Sequence, residues 1–214
     1  KYGAAVTNNA SSLTVVIKSS DHTNQRSLEM PGCVVTNFSI TADTATEGGR
    51  YKFSATLQSG KTPDLNESST AAGNSAYANT TGTTLASASG IKVYGIDAIL
   101  NSFTTTIDYP AVFTGITSTG YEVVSRGAEC AVTHECQIKY DGETKTLIST
   151  FDGQSAAKAE EMFIVTNNGK FGIDTANGVL TNVAYSEGDI MMLDCAIKAV
   201  DDGTDELLIV DLSD

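Results

Sequence analysis

Residues 32–41 read Gly-Cys-Val-Val-Thr-Asn-Phe-Ser-Ile-Thr, and residues 50–59 read Arg-Tyr-Lys-Phe-Ser-Ala-Thr-Leu-Gln-Ser. In both stretches apolar and polar side chains alternate, which is typical of β-strands that bury one face. The two stretches have similar lengths, and the loop between them ends in Gly48-Gly49. We therefore predict that they form an antiparallel hairpin and that the chain is mainly β.

The same alternation recurs in residues 99–109 and 128–140. Proline at position 110 ends the first of these strands, because its ring nitrogen cannot donate a ladder hydrogen bond. Asn177-Gly178 and Asp202-Gly203 each predict a turn, the second of them inside a final hairpin. Shorter strands are predicted at residues 13–18, 144–151, 163–166, 170–174, 179–185, 190–200 and 206–212.

One short helix is predicted at residues 155–162, where Ser155 can cap a run of Ala, Lys, Glu and Met residues. Residues 60–90 differ from the rest, because Asn, Ser, Thr, Ala and Gly dominate them. We predict a long polar loop there, used for contacts or flexible.

The length of 214 residues fits a single domain, covering residues 1–214. Segments 33–60 and 101–141 each hold a long strand, a polar connection and a second long strand, which we interpret as an internal duplication. The chain begins with Lys1 and no signal-like segment follows, so we expect a processed product or part of a longer one.

The charge balance excludes one class of function. Lys plus Arg is 13 and Asp plus Glu is 26, which gives a formal net charge of −13. A protein that wraps nucleic acid needs a basic surface, so this class is excluded. No apolar run reaches about 18 residues, so the sequence predicts no membrane-spanning helix.

The sequence predicts no catalytic, cofactor or metal site. Cys130, His134 and Cys136 share one face of a predicted strand, but they lack a fourth ligand and the usual zinc spacing. Cys130 and Cys136 would lie about 20 Å apart along that strand, too far for a disulfide. We therefore predict buried free thiols. The acidic residues 201–206 miss the calcium-loop spacing and are interpreted as a polar turn.

Several predicted strands pair an apolar face with a face of Thr, Ser, Asn and Gln that carries few charges. The outer face of a monomer usually carries more Lys and Glu. Uncharged polar faces suit a sheet that continues into neighbouring subunits or that lines an enclosed aqueous channel. An ordinary β-sandwich with a bland surface is the alternative.

Several motifs, taken in order, resemble the tail tube proteins of tailed bacteriophages. The resemblance covers residues 13–58 and 91–212 and leaves out the 60–90 loop. Its motifs lie at residues 31–40 (Pro-Gly-Cys-Val-Val-Thr-Asn-Phe-Ser-Ile), 48–56, 100–109, 125–133 and 187–200.

This resemblance implies a β-barrel or β-sandwich with one short α-helix on its flank. It implies hexameric rings, stacked into a tube that conducts the viral genome from capsid to host, with the inner sheets joined into a continuous β-barrel. The implied partners are copies of the chain, other tail proteins, and DNA as transient cargo, with no membrane. The implied location is the virion tail, after synthesis in the host cytoplasm, and the implied role is structural, without enzymatic activity or cofactor.

The resemblance also implies where the polar faces point. We expect twelve residues to face the lumen or the seams between subunits, with an exposed outer strand surface as the alternative for each. They are Asn37, Ser39, Thr41, Lys52, Ser54, Thr56, Thr104, Thr106, Asp108, Thr133, Glu135 and Gln137.

Two other functions remain open at this point. One is another self-assembling or surface β-protein: a pilin-like subunit, an adhesin or a capsid decoration protein. A pilin-like subunit needs an extended terminal strand, which residues 2–17 could supply. The other is an enzyme or a carbohydrate-binding sandwich, disfavoured by the absence of Trp and by a total of 15 Phe and Tyr residues.

Overall fold

The computed structural model describes residues 13–18, 27–66, 84–118, 120–126, 129–152, 158–167, 171–186 and 190–211. Within these ranges the chain is mainly β, with one α-helix, α1 (Thr146–Asp152). The strands are β1 (Leu13–Lys18), β2 (Ser27–Asp43), β3 (Lys52–Ser59), β4 (Asp64–Asn66), β5 (Gly90–Val93), β6 (Ile96–Asp97), β7 (Leu100–Asp108), β8 (Ala111–Thr117), β9 (Gly120–Arg126), β10 (Ala131–Lys139), β11 (Lys158–Thr166), β12 (Gly172–Ser186), β13 (Met192–Ala199) and β14 (Ile209–Asp211).

The predicted hairpin is confirmed. Strands β2 and β3 pair antiparallel, with Cys33 opposite Ser59 and Thr41 opposite Lys52. On its other side, the second half of β2 pairs with β7. Strand β7 pairs with β10, and β10 pairs with β13. All these pairings are antiparallel. The strands with the clearest alternation, which are β3, β2, β7 and β10, therefore lie side by side in the sheet.

The main sheet has twelve strands in an open order. It runs β1-β2-β7-β10-β13-β12-β11-β5-β6, with β3 and β4 also on β2 and β14 also on β12. In the part of the chain that is described, this path does not return to its first strand. Of the expected β-barrel or β-sandwich, the barrel is therefore not closed within the described part of the chain. Strands β8 and β9 form a separate two-stranded sheet.

Strand β12 carries the sheet from one layer to the next. Its second half pairs with β13, and its first half pairs with β11. Gly178 lies at the change, opposite Ala199 of β13 and Lys158 of β11. The turn predicted at Asn177-Gly178 is wrong: pairing with strands on both sides keeps the backbone extended through this dipeptide.

The sheet curls so that β11 covers the apolar face of β7 and β10. The ring of Phe163 on β11 lies 5.7 Å from that of Phe103 and 4.4 Å from that of His134. On the open side, Tyr51 stacks on Phe171 at 4.2 Å, and its hydroxyl donates to Asn167 Oδ1 at 2.5 Å. Two layers of one sheet thus enclose a single core.

The described residues contain one α-helix, but it does not lie where the sequence predicts a helix. Residues 158–162 of the predicted helix belong to β11, and residues 153–157 lie outside the described part of the chain. Strand β11 pairs with β12 and β5 and buries Met162 and Phe163. Burial between two neighbouring strands outweighs the local helix propensity of this segment.

The helix α1 instead lies where residues 144–151 were predicted to form a strand. The carboxylate of Asp141 accepts the backbone N–H groups of Glu143 and Thr144, each at 3.0 Å, and so turns the chain at the end of β10. Leu147 is buried, and Ile148 and Phe151 pack beside the core. Among the described residues no helix is long and apolar enough to cross a bilayer.

Two further expectations are corrected. The predicted 60–90 loop is partly structured, since β4 pairs with β2 and β5 begins at Gly90; residues 67–83 of the loop lie outside the described ranges. The final hairpin is wrong as well, because β14 pairs with β12 while β13 pairs with β10 and β12. The turn at Asp202 does form, and that carboxylate accepts the N–H groups of Thr204 and Asp205.

We predict that Gly178→Ala destabilises the protein. A Cβ at this position would lie 2.9 Å from the Lys198 carbonyl oxygen and 3.1 Å from Ile197 Cγ2. Overpacking of this kind costs about 1–3 kcal/mol. Urea unfolding measures the change. The matched control is Gly142→Ala, where a Cβ meets nothing within 4 Å. Equal unfolding midpoints for the two variants would contradict the close packing described at Gly178, where β12 passes from one layer to the other.

Candidate functional site

Strand pairing places the predicted polar residues on one surface. Residues directly opposite each other in an antiparallel pair project from the same face of the sheet. Ser39 lies opposite Ser54 of β3 and Thr106 of β7. Thr106 in turn lies opposite Thr133 of β10. One row of hydroxyl side chains therefore crosses four strands.

A second row runs parallel to the first. Thr41 lies opposite Lys52 and Thr104, and Thr104 lies opposite Glu135. A third row begins with Asn37 opposite Thr56 and Asp108. All twelve predicted residues thus share one face, and none of them is buried. We call this surface the polar face; it consists of Asn37, Ser39, Thr41, Lys52, Ser54, Thr56, Thr104, Thr106, Asp108, Thr133, Glu135 and Gln137.

This surface continues onto β13, which was not predicted from the sequence. Asp194 lies opposite Gln137, Ala196 opposite Glu135, and Lys198 opposite Thr133. The signal was present, because these residues alternate with the buried Leu193, Cys195 and Ile197. The local pattern of β13 matches that of β10, but a pattern alone does not say which strand is the neighbour.

A hydrogen-bonded ladder of side chains ties the strands together across this surface. The Thr44 hydroxyl donates to Asn101 Oδ1 at 2.5 Å, and Asn101 Nδ2 donates to Gln137 Oε1 at 2.6 Å. Gln137 Nε2 donates to Ser186 Oγ and to Asp194 Oδ1, both at 3.0 Å. The amide of Gln137 therefore has a protein partner for its oxygen and two for its nitrogen.

Beside Gln137 lies a concavity of about 330 Å³. Its side chains carry hydroxyl, amide, carboxylate and thiol groups, together with the ring of Phe103. The residues around it are Ser102, Phe103, Thr104, Glu135, Cys136, Gln137, Asn182, Asp194, Cys195 and Ala196.

The polar face carries few charges, and these nearly cancel. Its twelve residues include Lys52, Asp108 and Glu135, and the continuation of the surface on β13 adds Lys198 and Asp194. Most of its remaining side chains are neutral hydroxyls and amides. Such a surface neither attracts a polyanion strongly nor repels it strongly.

Strand β3 forms an outer edge beside this face. Among the described residues it pairs with β2 and with no second strand. Its side chains from Lys52 to Gln58 are all exposed, including Phe53 at 49% and Leu57 at 38%. A long edge strand with unpaired backbone groups is a template for pairing with another chain.

The candidate zinc residues serve the core instead. Both ring nitrogens of His134 lie 2.9 Å from threonine hydroxyls, Nδ1 from Thr105 and Nε2 from Thr175. The neutral ring carries one N–H, so it donates to one hydroxyl and accepts from the other. Complete burial lowers the pKa of His134 to about 3. Across the described ranges, no three His, Cys, Asp or Glu side chains gather to hold a metal.

The cysteines are free thiols, and the predicted burial is confirmed for three of the four. Cys33, Cys136 and Cys195 are buried, and Cys130 is half-buried. Cys136 lies directly opposite Cys195. Contact with the Cys195 thiol, together with burial, raises the pKa of Cys136. A thiol held in its protonated form is a poor nucleophile and a poor metal ligand.

Comparison with known proteins found no match, either to a family model or to a curated protein.

We predict that His134 makes the fold acid-sensitive at pH values well above those at which carboxylates usually titrate. An unfolded histidine binds a proton below about pH 6.5, whereas the folded one stays neutral down to about pH 3. The unfolded state therefore binds more protons in this window, and stability falls by about 1.4 kcal/mol per unit as the pH drops. Urea unfolding at pH 7 and at pH 4.5 measures the difference.

The variant His134→Gln should lose this slope, whatever its stability at pH 7. His22→Gln, at the other histidine of the chain, is the control. Backbone N–H groups that bond to the exposed carboxyls of Asp141 and Asp202 lower the pKa values of both groups. The stability that these two carboxylates contribute to the fold is therefore lost only at pH values below those compared here. Burial raises the pKa of Asp174. Protonation of this carboxyl therefore stabilises the fold as the pH falls, which is opposite to the effect of His134. An unchanged slope in His134→Gln would overturn the prediction.

Proposed function

We propose that this chain is a structural subunit of a bacteriophage tail tube. In this proposal it forms hexameric rings that stack into a tube and conduct the viral genome from capsid to host. The observation that carries the proposal is the polar face, a weakly charged surface that spans β3, β2, β7, β10 and β13 without interruption. The resemblance of residues 31–40 and 100–109 to tail tube proteins indicates which kind of assembly the subunit would form.

The open order of the sheet supports ring formation. The sheet presents β3 at one side of the polar face, and its pairing there is incomplete among the described residues. If the edge of a neighbouring subunit continues the sheet, the polar faces join into one inner barrel and the unpaired backbone groups are satisfied. The barrel expected from the resemblance would then belong to the ring and not to the single chain.

The electrostatics suit a conduit for DNA. A lumen lined with lysine and arginine would bind phosphates at every ring, and these interactions would add along the tube and hold the genome back. Together with Asp194 and Lys198 on β13, the polar face has two cations and three anions over five strands. DNA is then a passing cargo, and the subunit needs no cofactor or catalytic group.

The path of β1 favours this function over a pilin-like subunit. A donor-strand pilin gives its terminal strand to the next subunit. Here β1 pairs with β2 of its own chain, with Val16 opposite Glu29 and Ile17 opposite Leu28. The strand that residues 2–17 could have donated is thus at least partly used within the subunit.

We predict that purified protein forms rings or tubes visible by electron microscopy, and that Ala55→Lys abolishes them. Ala55 is exposed in the middle of β3, and a lysine on an edge strand opposes pairing with another strand. Stability should stay within about 0.5 kcal/mol, as for most surface substitutions. The control is Ser149→Lys on the exposed side of α1. A wild-type protein that stays monomeric, with no rings in virions, would refute the proposal.

A second prediction tests the direction of the polar face. In assembled tubes, Thr106→Lys adds one cation per subunit to the lumen, so the tubes should retain duplex DNA at low salt and release it as salt rises. Thr106→Gln, which is neutral, should behave like wild type. DNA retention is measured by co-sedimentation with the tubes. No gain in DNA retention by Thr106→Lys tubes would place this face outside the channel.

A further inference from the structure

Two of the four cysteines lie directly opposite each other in neighbouring strands. Cys136 of β10 is paired with Cys195 of β13, and the register between these two strands has no bulge. Because opposite residues project from the same face of a sheet, both side chains lie on the core side, and their thiols are in contact. The fold therefore brings together two thiols that are far apart in the chain.

The backbone geometry of this pair suits a disulfide bond. The Cα atoms of directly opposite residues in an antiparallel pair are about 4.5–5.5 Å apart. Disulfides join Cα atoms that are about 4.4–6.8 Å apart. A bond between the two sulfur atoms therefore requires rotation of the side chains, but the two strands can stay paired.

The neighbouring strands add apolar side chains on either side of the pair. Cys136 is also opposite Phe103 of β7, and Cys195 is also opposite Val183 of β12. Cys136 is 5% exposed and Cys195 is 3% exposed, which excludes large reagents. Both cysteines also line the concavity beside Gln137, so solvent comes close to them. A small neutral oxidant can therefore reach the sulfur atoms when the sheet opens locally.

We propose that Cys136 and Cys195 form an oxidation site, at which hydrogen peroxide joins them in a disulfide that ties β10 to β13. The bond closes a long loop of the chain, which restricts the unfolded state and so stabilises the fold. In a reducing compartment the pair stays as two thiols, whereas in an oxidising one the disulfide persists. This oxidation site is independent of the tail tube function proposed above.

The oxidation consumes one peroxide per pair. The sulfur of the first cysteine attacks a peroxide oxygen, so that an S–O bond forms, the O–O bond breaks, and the departing hydroxide takes the thiol proton and becomes water. The sulfur of the second cysteine then attacks the sulfenic acid, so that the S–S bond forms and the S–O bond breaks. The second hydroxide takes the second thiol proton. Two thiols thus lose two electrons, and the peroxide is reduced to two waters.

The first step should be slow in the folded protein. Contact with Cys195, together with burial, raises the pKa of Cys136, so little of the reactive thiolate is present at neutral pH. The second step should be fast, because the partner thiol is already in contact with the sulfenic acid. A neighbouring thiol of this kind diverts a sulfenic acid to a disulfide before further oxidation.

A role in core packing alone is the alternative, since a buried free cysteine behaves as a small apolar side chain. Cys33 supplies the comparison. It is 2% exposed, but it lies opposite Leu13 and Ser59 and not opposite another cysteine. If packing were the whole role of Cys136 and Cys195, the two would respond to peroxide as Cys33 does.

Mass spectrometry after oxidation tests the site. The folded full-length protein is treated with a small excess of hydrogen peroxide, denatured and alkylated with iodoacetamide. The expected result is a fall from four alkylated thiols to two, with loss of two hydrogens and no added oxygen. Non-reducing tryptic digestion should join peptide 127–139 to peptide 171–198. The digest is repeated with Cys130→Ser, which leaves Cys136 as the one cysteine of the first peptide.

Urea unfolding supplies a second measurement. The oxidised protein should unfold at a urea concentration about 1 M higher than the reduced protein, and dithiothreitol should reverse the shift. Cys195→Ala should show neither the joined peptides nor the shift. Cys33→Ala is the matched control at a buried thiol, and it should show both.

Four outcomes of the peroxide treatment would overturn the oxidation site. They are retention of all four thiols, a disulfide through Cys33 or Cys130, a disulfide between two chains, and an oxygen adduct at Cys136 without joined peptides. A joined protein that unfolds at a lower urea concentration than the reduced one would overturn the stabilising role of the bond.

Discussion

The apolar face of β7 and β10 has to be covered by the chain itself, and the rest of the architecture depends on this constraint. A single sheet with one apolar face is not stable in water until another layer buries that face. Here β12 continues past β13 and pairs with β11, and this path brings Phe163 over Phe103 and His134. The hydroxyls of Thr105 and Thr175 then satisfy the one polar ring inside the interface. With the core closed on that side, the other face of the same strands is left to water.

The same constraint explains which parts of the fold the sequence could predict. Alternation within a strand is a local property, so the assignment of Ser39, Thr106 and Thr133 to the non-core face needed no knowledge of their neighbours. Pairing partners are not local. Asp194 and Lys198 belong to the polar face because β13 lies beside β10, and β13 does not follow β10 directly in the chain.

The errors have the same origin. Residues 158–162 have good helix formers, yet they form β11 because the core of β7 and β10 needs a covering strand at that point. Residues 146–152 contain Thr, Ile and Phe, which favour strands, yet among the described residues no strand pairs with them, and Leu147 reaches the core from a helix. The spacing of Leu147, Ile148 and Phe151, which places them on one side of a helix, was the overlooked signal.

The surfaces outside the core differ in how well they are protected from pairing with another chain. The proposed function rests on this difference. Monomeric β-proteins protect an edge strand with several charges, a proline or a bulge that turns it away. Strand β3 has eight residues, of which Lys52 is the one charged residue, and no proline, while Phe53 and Leu57 remain exposed. The proposed ring would remove this edge, because pairing of β3 with a neighbouring copy would satisfy the outward backbone groups of the strand.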